Sequence, residues 1–151
     1  MKMQKIVLVT GGFDPIHSGH IRYFNEAKKL GDFLIVGLNS DDWLIKKKGA
    51  PFLNLVERRE IVKNFKMVND VITWNDKDGT ATGAINLLIK KYPNKKIVFA
   101  NGGDRNKNNT SEMKQFINCK NIEFVFAVGG DFKINSSRWI LEKWNKRKIL
   151  K

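Results

Sequence analysis

Apolar residues follow two rhythms along this chain. Continuous runs at Ile6–Val9, Phe33–Leu38, Val71–Trp74, Ile97–Ala100 and Ile122–Val128 are short and rich in β-branched residues, which predicts strands buried on both faces. Between them, apolar positions recur every three or four residues. Ile21, Phe24, Ala27 and Leu30 form one such series, and Gly31 is the expected stop. Leu55 to Val68 is a second, with Ile61, Val62, Phe65 and Val68 on one face. Ala81, Ala84, Ile85, Leu88, Ile89 and Tyr92 make the cleanest amphipathic series. Asn39-Ser40-Asp41-Asp42 caps a short helix, and Lys46-Lys47-Lys48-Gly49-Ala50-Pro51 reads as a basic loop. A short helix surrounds Met113, Phe116 and Ile117, and Ser136 opens a last one carrying Trp139, Ile140 and Trp144.

Strand and helix alternate from end to end. The expected fold is therefore a Rossmann-like α/β/α sandwich with a mostly parallel five-stranded sheet, formed by residues 1–151 as a single domain with a basic tail over about 143–151. In such sheets ligands collect at the carboxyl ends of the strands. The loops after the first, second, fourth and fifth strands hold most of the Gly, Asp and Asn.

Composition narrows the function classes. The chain has 28 Lys+Arg against 15 Asp+Glu, a net charge of +13, which suits an anionic small substrate or a lysine-rich surface better than nucleic acid. Cys119 is the only cysteine, so no intrachain disulfide and no multi-cysteine zinc site can form. No apolar run reaches membrane-span length, and Met-Lys-Met-Gln-Lys leads directly into a strand with no signal-peptide pattern, so a cytoplasmic location is expected.

The chemistry concentrates where the first strand hands over to its helix. The only two histidines, His17 and His20, are three residues apart and share one helix face. The free N–H groups and positive dipole end of that helix favour phosphate there. Neither G-x-G-x-x-G nor G-x-x-x-x-G-K-[ST] occurs, which argues against a hydride-transfer Rossmann enzyme and a P-loop NTPase.

Gly12-Phe13-Asp14-Pro15-Ile16-His17-Ser18-Gly19-His20 resembles the H-x-G-H signature of the cytidylyltransferase-like nucleotidyltransferases, which include glycerol-3-phosphate cytidylyltransferase and the heptose-phosphate adenylyltransferases. Class I tRNA synthetases share a histidine pair, but this chain lacks their KMSKS-like loop and anticodon-binding region. The resemblance implies transfer of CMP or AMP from CTP or ATP to a phosphorylated sugar or alditol, with pyrophosphate released. It implies Mg²⁺ accompanying the triphosphate, and a homodimer. A non-catalytic nucleotide- or nucleic-acid-binding module on the same fold is the alternative.

The family pattern also assigns roles. His17 and His20 would donate to the triphosphate, with the Phe13 amide beside them and Gly12 allowing close approach. Arg58, within Glu57-Arg58-Arg59-Glu60, would reach acceptor or phosphates, and Lys48 would add a phosphate-binding cation with Lys46 as its rival. Asp14 and Asp41 would face the acceptor side. Asn101, Gly103 and Asp104 match the loop that reads base and ribose. Ser136, Ser137 and Arg138 match the segment that opens the last helix at the β- and γ-phosphates. The family's glycine before that segment is Lys133 here, and its R-T-x-G run reads Val128-Gly129-Gly130-Asp131.

Overall fold

The computed structural model describes residues 2–130 and 135–149. Five strands form one sheet: β1 (Lys5–Gly11), β2 (Phe33–Leu38), β3 (Asp70–Thr73), β4 (Lys96–Ala100) and β5 (Ile122–Val125). Their order is β3-β2-β1-β4-β5 and every pairing is parallel. Six helices connect or follow them: α1 (Ser18–Lys28), α2 (Asp41–Lys48), α3 (Leu55–Lys63), α4 (Thr82–Lys91), α5 (Glu112–Gln115) and α6 (Ser137–Ile149).

The strand runs are apolar throughout because both faces are covered. Val7, Val9, Leu34, Val36, Val98 and Ala100 pack with Phe24 and Ala27 of α1 and Val62 of α3. Their neighbours one residue along, Ile6, Leu8, Ile35, Ile97 and Phe99, pack with Ala84, Ile85 and Leu88 of α4 and with Phe116. This is the period of two expected of a pleated strand, read on both sides at once. The order reverses between β1 and its two neighbours, so the crevice for a ligand opens above the carboxyl end of β1.

Several local expectations change. Helix α1 ends at Lys28, capped by Lys29, not at Gly31. Gly31 serves proximity instead, since a Cβ there would lie 2.9 Å from the Lys5 carbonyl oxygen. Lys46–Lys48 is not loop but the last turn of α2, where cations complement the helix dipole, and Gly49 ends it at φ 92°. Helix α3 stops at Lys63 because the Asn64 side-chain amide takes the Glu60 carbonyl (2.7 Å), and Phe65 and Val68 reach the core from a turn. Strand β5 ends at Val125, since Ala127, Gly129 and Gly130 all adopt positive φ and curl the chain onto Asn101.

In the last helix Ser136 is the cap rather than the first residue, accepting from the Trp139 amide at 3.1 Å. The basic run from Lys143 to Lys148 continues α6. Lys133 and Asp131 of the altered family segment lie outside the described residues.

Candidate active site

Strand β1 ends in two glycines that make room for their neighbours. A Cβ on Gly11 would lie 2.9 Å from the Phe13 ring, and one on Gly12 would lie 2.7 Å from Leu44. Gly12 is thus required by its packing against Leu44 of α2. Phe13 itself holds φ 49°, a left-handed conformation that non-glycine residues avoid, and its ring is locked edge-on against His20 (5.0 Å) and Phe24 (4.9 Å).

His17 is the N-cap of α1. Its Nδ1 accepts from the Gly19 amide at 3.0 Å, while Nδ1 of His20 accepts from the His17 amide at 3.3 Å. This is a reciprocal capping box built from two imidazoles in place of Ser/Thr and Glu/Gln. Because Nδ1 of each ring is an acceptor, the proton of each neutral imidazole sits on Nε2. The helix cap therefore assigns both tautomers and puts the N–H of each ring on Nε2. The rings lie 3.9 Å apart.

These rings line a cleft of about 630 Å³ that runs past the N-terminal ends of α1 and α6 and the loops after β4 and β5. Tyr23 supports the far wall. Its hydroxyl donates to the Ala100 carbonyl, and Gly102 and Gly129 rest on its side, so that a Cβ on either would meet Tyr23 atoms at 3.1 and 3.3 Å. Burial raises the Tyr23 phenol well above its ordinary pKa, so the hydroxyl stays a donor. Asn101 lines the cleft, but its side-chain amide points back to the Phe99 and Val125 carbonyls at 3.1 and 3.3 Å and ties β4 to β5. Gly103, at φ 62° with open space around it, and exposed Asp104 form the rim. Ser136 and Ser137 bring the start of α6 over α1, with the Ser137 hydroxyl donating to the Pro15 carbonyl at 2.8 Å.

A second set of expected residues sits beneath the cleft. Arg58 is only 1% exposed. Its Nε donates to Leu53, its Nη1 to the carbonyls of Gly12 (2.9 Å) and Asn39 (2.8 Å), and its Nη2 to Asp41 (2.7 Å). Expected to reach the acceptor or the phosphates, its guanidinium is held inside the protein, where it joins the loops after β1 and β2 to α3. Asp14 likewise turns inward: its carboxylate accepts from the amides of Phe52 and Leu53, both at 2.6 Å, and pairs with Lys48 at 2.7 Å. Asp41 and Lys48 are thereby engaged with protein partners, although both retain some exposure. Arg138 faces solvent and pairs with Glu142 at 2.9 Å, away from the cleft wall.

The structure adds residues the sequence did not single out. Arg22 and Arg105 are the arginines that line the cleft. Asp76, after β3, accepts from the Asn39 side chain and from both the amide and hydroxyl of Ser40. Burial pushes its pKa up, but those bonds outweigh burial and hold the carboxyl below its ordinary range. Arg22 stands two residues after His20, a spacing that turns it to a different helix face, so no spacing rule pointed to it. Asp76 carried no signal beyond its place in a polar loop.

Burial first, and the neighbouring His17 second, pull the His20 imidazole down to about 3. It is neutral in the folded protein and regains an ordinary pKa on unfolding. The unfolded chain therefore binds the extra proton, and the stability tied to neutral His20 is present above about pH 6.5 and lost as pH falls toward about 3. The expected slope from this group is at most about 1.4 kcal/mol per pH unit. Urea unfolding at pH 7, 6, 5 and 4 checks it: His20→Asn, which cannot take up the proton, should show a shallower decline than the parent protein. Parallel declines would refute the assignment.

With this geometry in view, the comparisons are specific. The model of the "Cytidylyltransferase-like" family matches residues 8–150. The bifunctional protein HldE of Marinomonas sp. (strain MWYL1) is 41% identical over 153 residues, covering 96% of this chain and 29% of that protein. The FAD synthase of Thermococcus sibiricus is 37% identical over 123 residues, covering 80% of this chain and 78% of that one. The crystal structure of the lipopolysaccharide core biosynthesis protein from Thermoplasma volcanium GSS1 superimposes with a TM-score of 0.64 at 26% identity, over 87% of this chain and 100% of that one. This chain spans only 20% and 29% of the HldE proteins of Hydrogenovibrio crunogenus and Marinomonas that it matches. No helix among the described residues is long and apolar enough to cross a membrane. The capped histidine pair, the five parallel strands and the family match over nearly the whole length agree: the chain belongs to the cytidylyltransferase-like family of nucleotidyltransferases.

Proposed function

We propose that the protein transfers an adenylyl or cytidylyl group from ATP or CTP to a phosphorylated acceptor of the sugar or alditol class. The observation that carries this reading is the pair of Nε2–H donors created by the His17–His20 cap beside two helix N-termini. An acceptor phosphate oxygen would attack the α-phosphorus, the bond to the bridging oxygen would break, and pyrophosphate would leave with that electron pair. The acceptor is ionised at neutral pH, so the reaction asks for no general base. It asks for alignment and for donors directed at charge that grows in the transition state. Neutral His20 meets that need without a proton transfer.

ATP is the favoured donor, because the FAD synthase relative is named for an adenine dinucleotide. Magnesium belongs to this reading as part of the nucleotide substrate, where it would offset triphosphate charge. The carboxylates of Asp14 and Asp41 pair with Lys48 and Arg58, so the triphosphate oxygens are the natural place for the ion.

The test is pyrophosphate release from ATP and from CTP with Mg²⁺, against a panel of sugar phosphates, polyol phosphates and flavin mononucleotide. Release should require both a nucleotide and one phosphorylated acceptor, and that nucleotide should raise the melting temperature on its own. Absence of release with every acceptor, together with salt-sensitive RNA or DNA binding, would favour the non-catalytic module.

A further inference from the structure

Two arginines reach the cleft, and their surroundings differ in one decisive respect. Arg105 pairs through Nη2 with Glu112 at 2.9 Å, and Glu112 is only 1% exposed. The other Glu112 oxygen accepts from the Ala81 amide at 2.8 Å, where α4 begins. Burial raises the Glu112 pKa, but the Ala81 amide and Arg105 outweigh it and keep the carboxylate charged. The Arg105 guanidinium also lies over the Phe99 ring, 5.7 Å from its centroid. Behind it, the loop closes on itself: Asn109 donates to the Asp104 carbonyl at 3.0 Å, and the Thr110 hydroxyl donates to that of Asn106 at 2.8 Å. Arg105 is therefore held in one orientation with its charge balanced.

Arg22 has no such balance among the described residues. Among them it makes no ion pair, and Glu26, one turn along, is engaged with Lys29 at 2.6 Å. Its guanidinium lies beside Gly130, 3.6 Å from where a Cβ would be. It follows His20 on α1, near the ends of the two helices.

A neutralised guanidinium offers directional N–H donors but little net field, whereas an unpaired one offers both. We propose that the two arginines divide the nucleotide between them. Arg105, oriented by Glu112 as a positioning residue, donates to acceptor atoms of the nucleoside half. Arg22 supplies net charge to the polyphosphate half. This rests on the nucleotide-binding reading above and assigns to two residues what that reading leaves open.

Titration with three probes tests it: the nucleotide that the parent protein binds, its matching nucleoside, and pyrophosphate. Arg105→Ala should weaken nucleoside and triphosphate by a similar factor, about tenfold or more, the loss expected for a hydrogen bond from a charged donor. Its pyrophosphate affinity should stay within about twofold of the parent. Arg22→Ala should show the mirror pattern and should flatten the salt dependence of triphosphate binding. Glu112→Gln should follow Arg105→Ala in direction. Arg105→Lys, which keeps a charge for Glu112 but loses the planar fork, serves as the second variant if Glu112→Gln unfolds. Loss of pyrophosphate affinity in Arg105→Ala, or unchanged nucleoside affinity, overturns the division. A parent protein that binds none of the probes refutes the nucleotide reading itself, and this inference with it.

Discussion

Replacing His20 by asparagine is expected to lower turnover about a hundredfold to a thousandfold while leaving the melting temperature near that of the parent. The magnitude is that of removing one preorganised donor from a developing oxyanion. The choice of asparagine matters. Alanine would remove two things at once, the Nε2–H donor and the Nδ1 acceptor that receives the His17 amide. Asparagine can supply a side-chain oxygen to the cap but has no group at the Nε2 position. Steady-state kinetics with the best acceptor, beside a thermal melt, separates chemistry from capping. Turnover within about tenfold of the parent would remove His20 from the reacting centre. His17→Asn is the companion variant, since asparagine is itself a favoured N-cap.

The largest effect on stability should come from Arg58→Ala. Four carbonyl or carboxylate groups receive the Arg58 guanidinium, and the side chain is buried. Removing it strands the carbonyls of Gly12 and Asn39 and leaves Asp41 without its cation. Each buried carbonyl left without its donor costs about 1–3 kcal/mol, whereas Asp41, 37% exposed, is re-solvated and adds little. For a chain of this size the loss of both carbonyl bonds corresponds to a fall in Tm on the order of 10 °C. Arg58→Lys should recover only part of the loss, because a single ammonium cannot serve partners arranged around a planar fork. Denaturant unfolding of the two variants is the measurement. A change below about 1 kcal/mol in Arg58→Ala would show that the clamp is not needed. Kinetics adds a second readout: a residue acting through the Gly12 loop should depress activity at temperatures where the variant is still folded.

Much of the architecture was legible because its causes are local and periodic. Phe33–Leu38 is apolar at every position, and such a run can be satisfied only inside a sheet covered on both sides. Strand ends and helix stops were less legible, since they depend on single hydrogen bonds. Nothing in the pattern around Phe65 and Val68 says that Asn64 will take the Glu60 carbonyl and end α3. The histidine pair was legible as a cluster near a helix start, whereas the reciprocal cap, in which both rings accept through Nδ1, follows only from the folded geometry. Arg58 illustrates the opposite limit. Sequence shows an arginine in a segment that resembles the family pattern, but whether its guanidinium faces a ligand or a ring of carbonyls is decided by three loops that meet only in the folded chain. Arg138 is turned toward solvent for a simpler reason, since Glu142 one turn along offers it a partner there.

The two flanks of the cleft are held by separate sets of bonds. Arg58, Asp14 and Lys48 secure one side and anchor the segment that leaves the first strand, while Tyr23, Asn101 and Glu112 secure the other. Such an arrangement is modular. On the proposed reading, residues of α2 and α3 other than Lys48 and Arg58 are the ones free to change with a new acceptor, so diversification within this architecture should concentrate on a single half of each molecule.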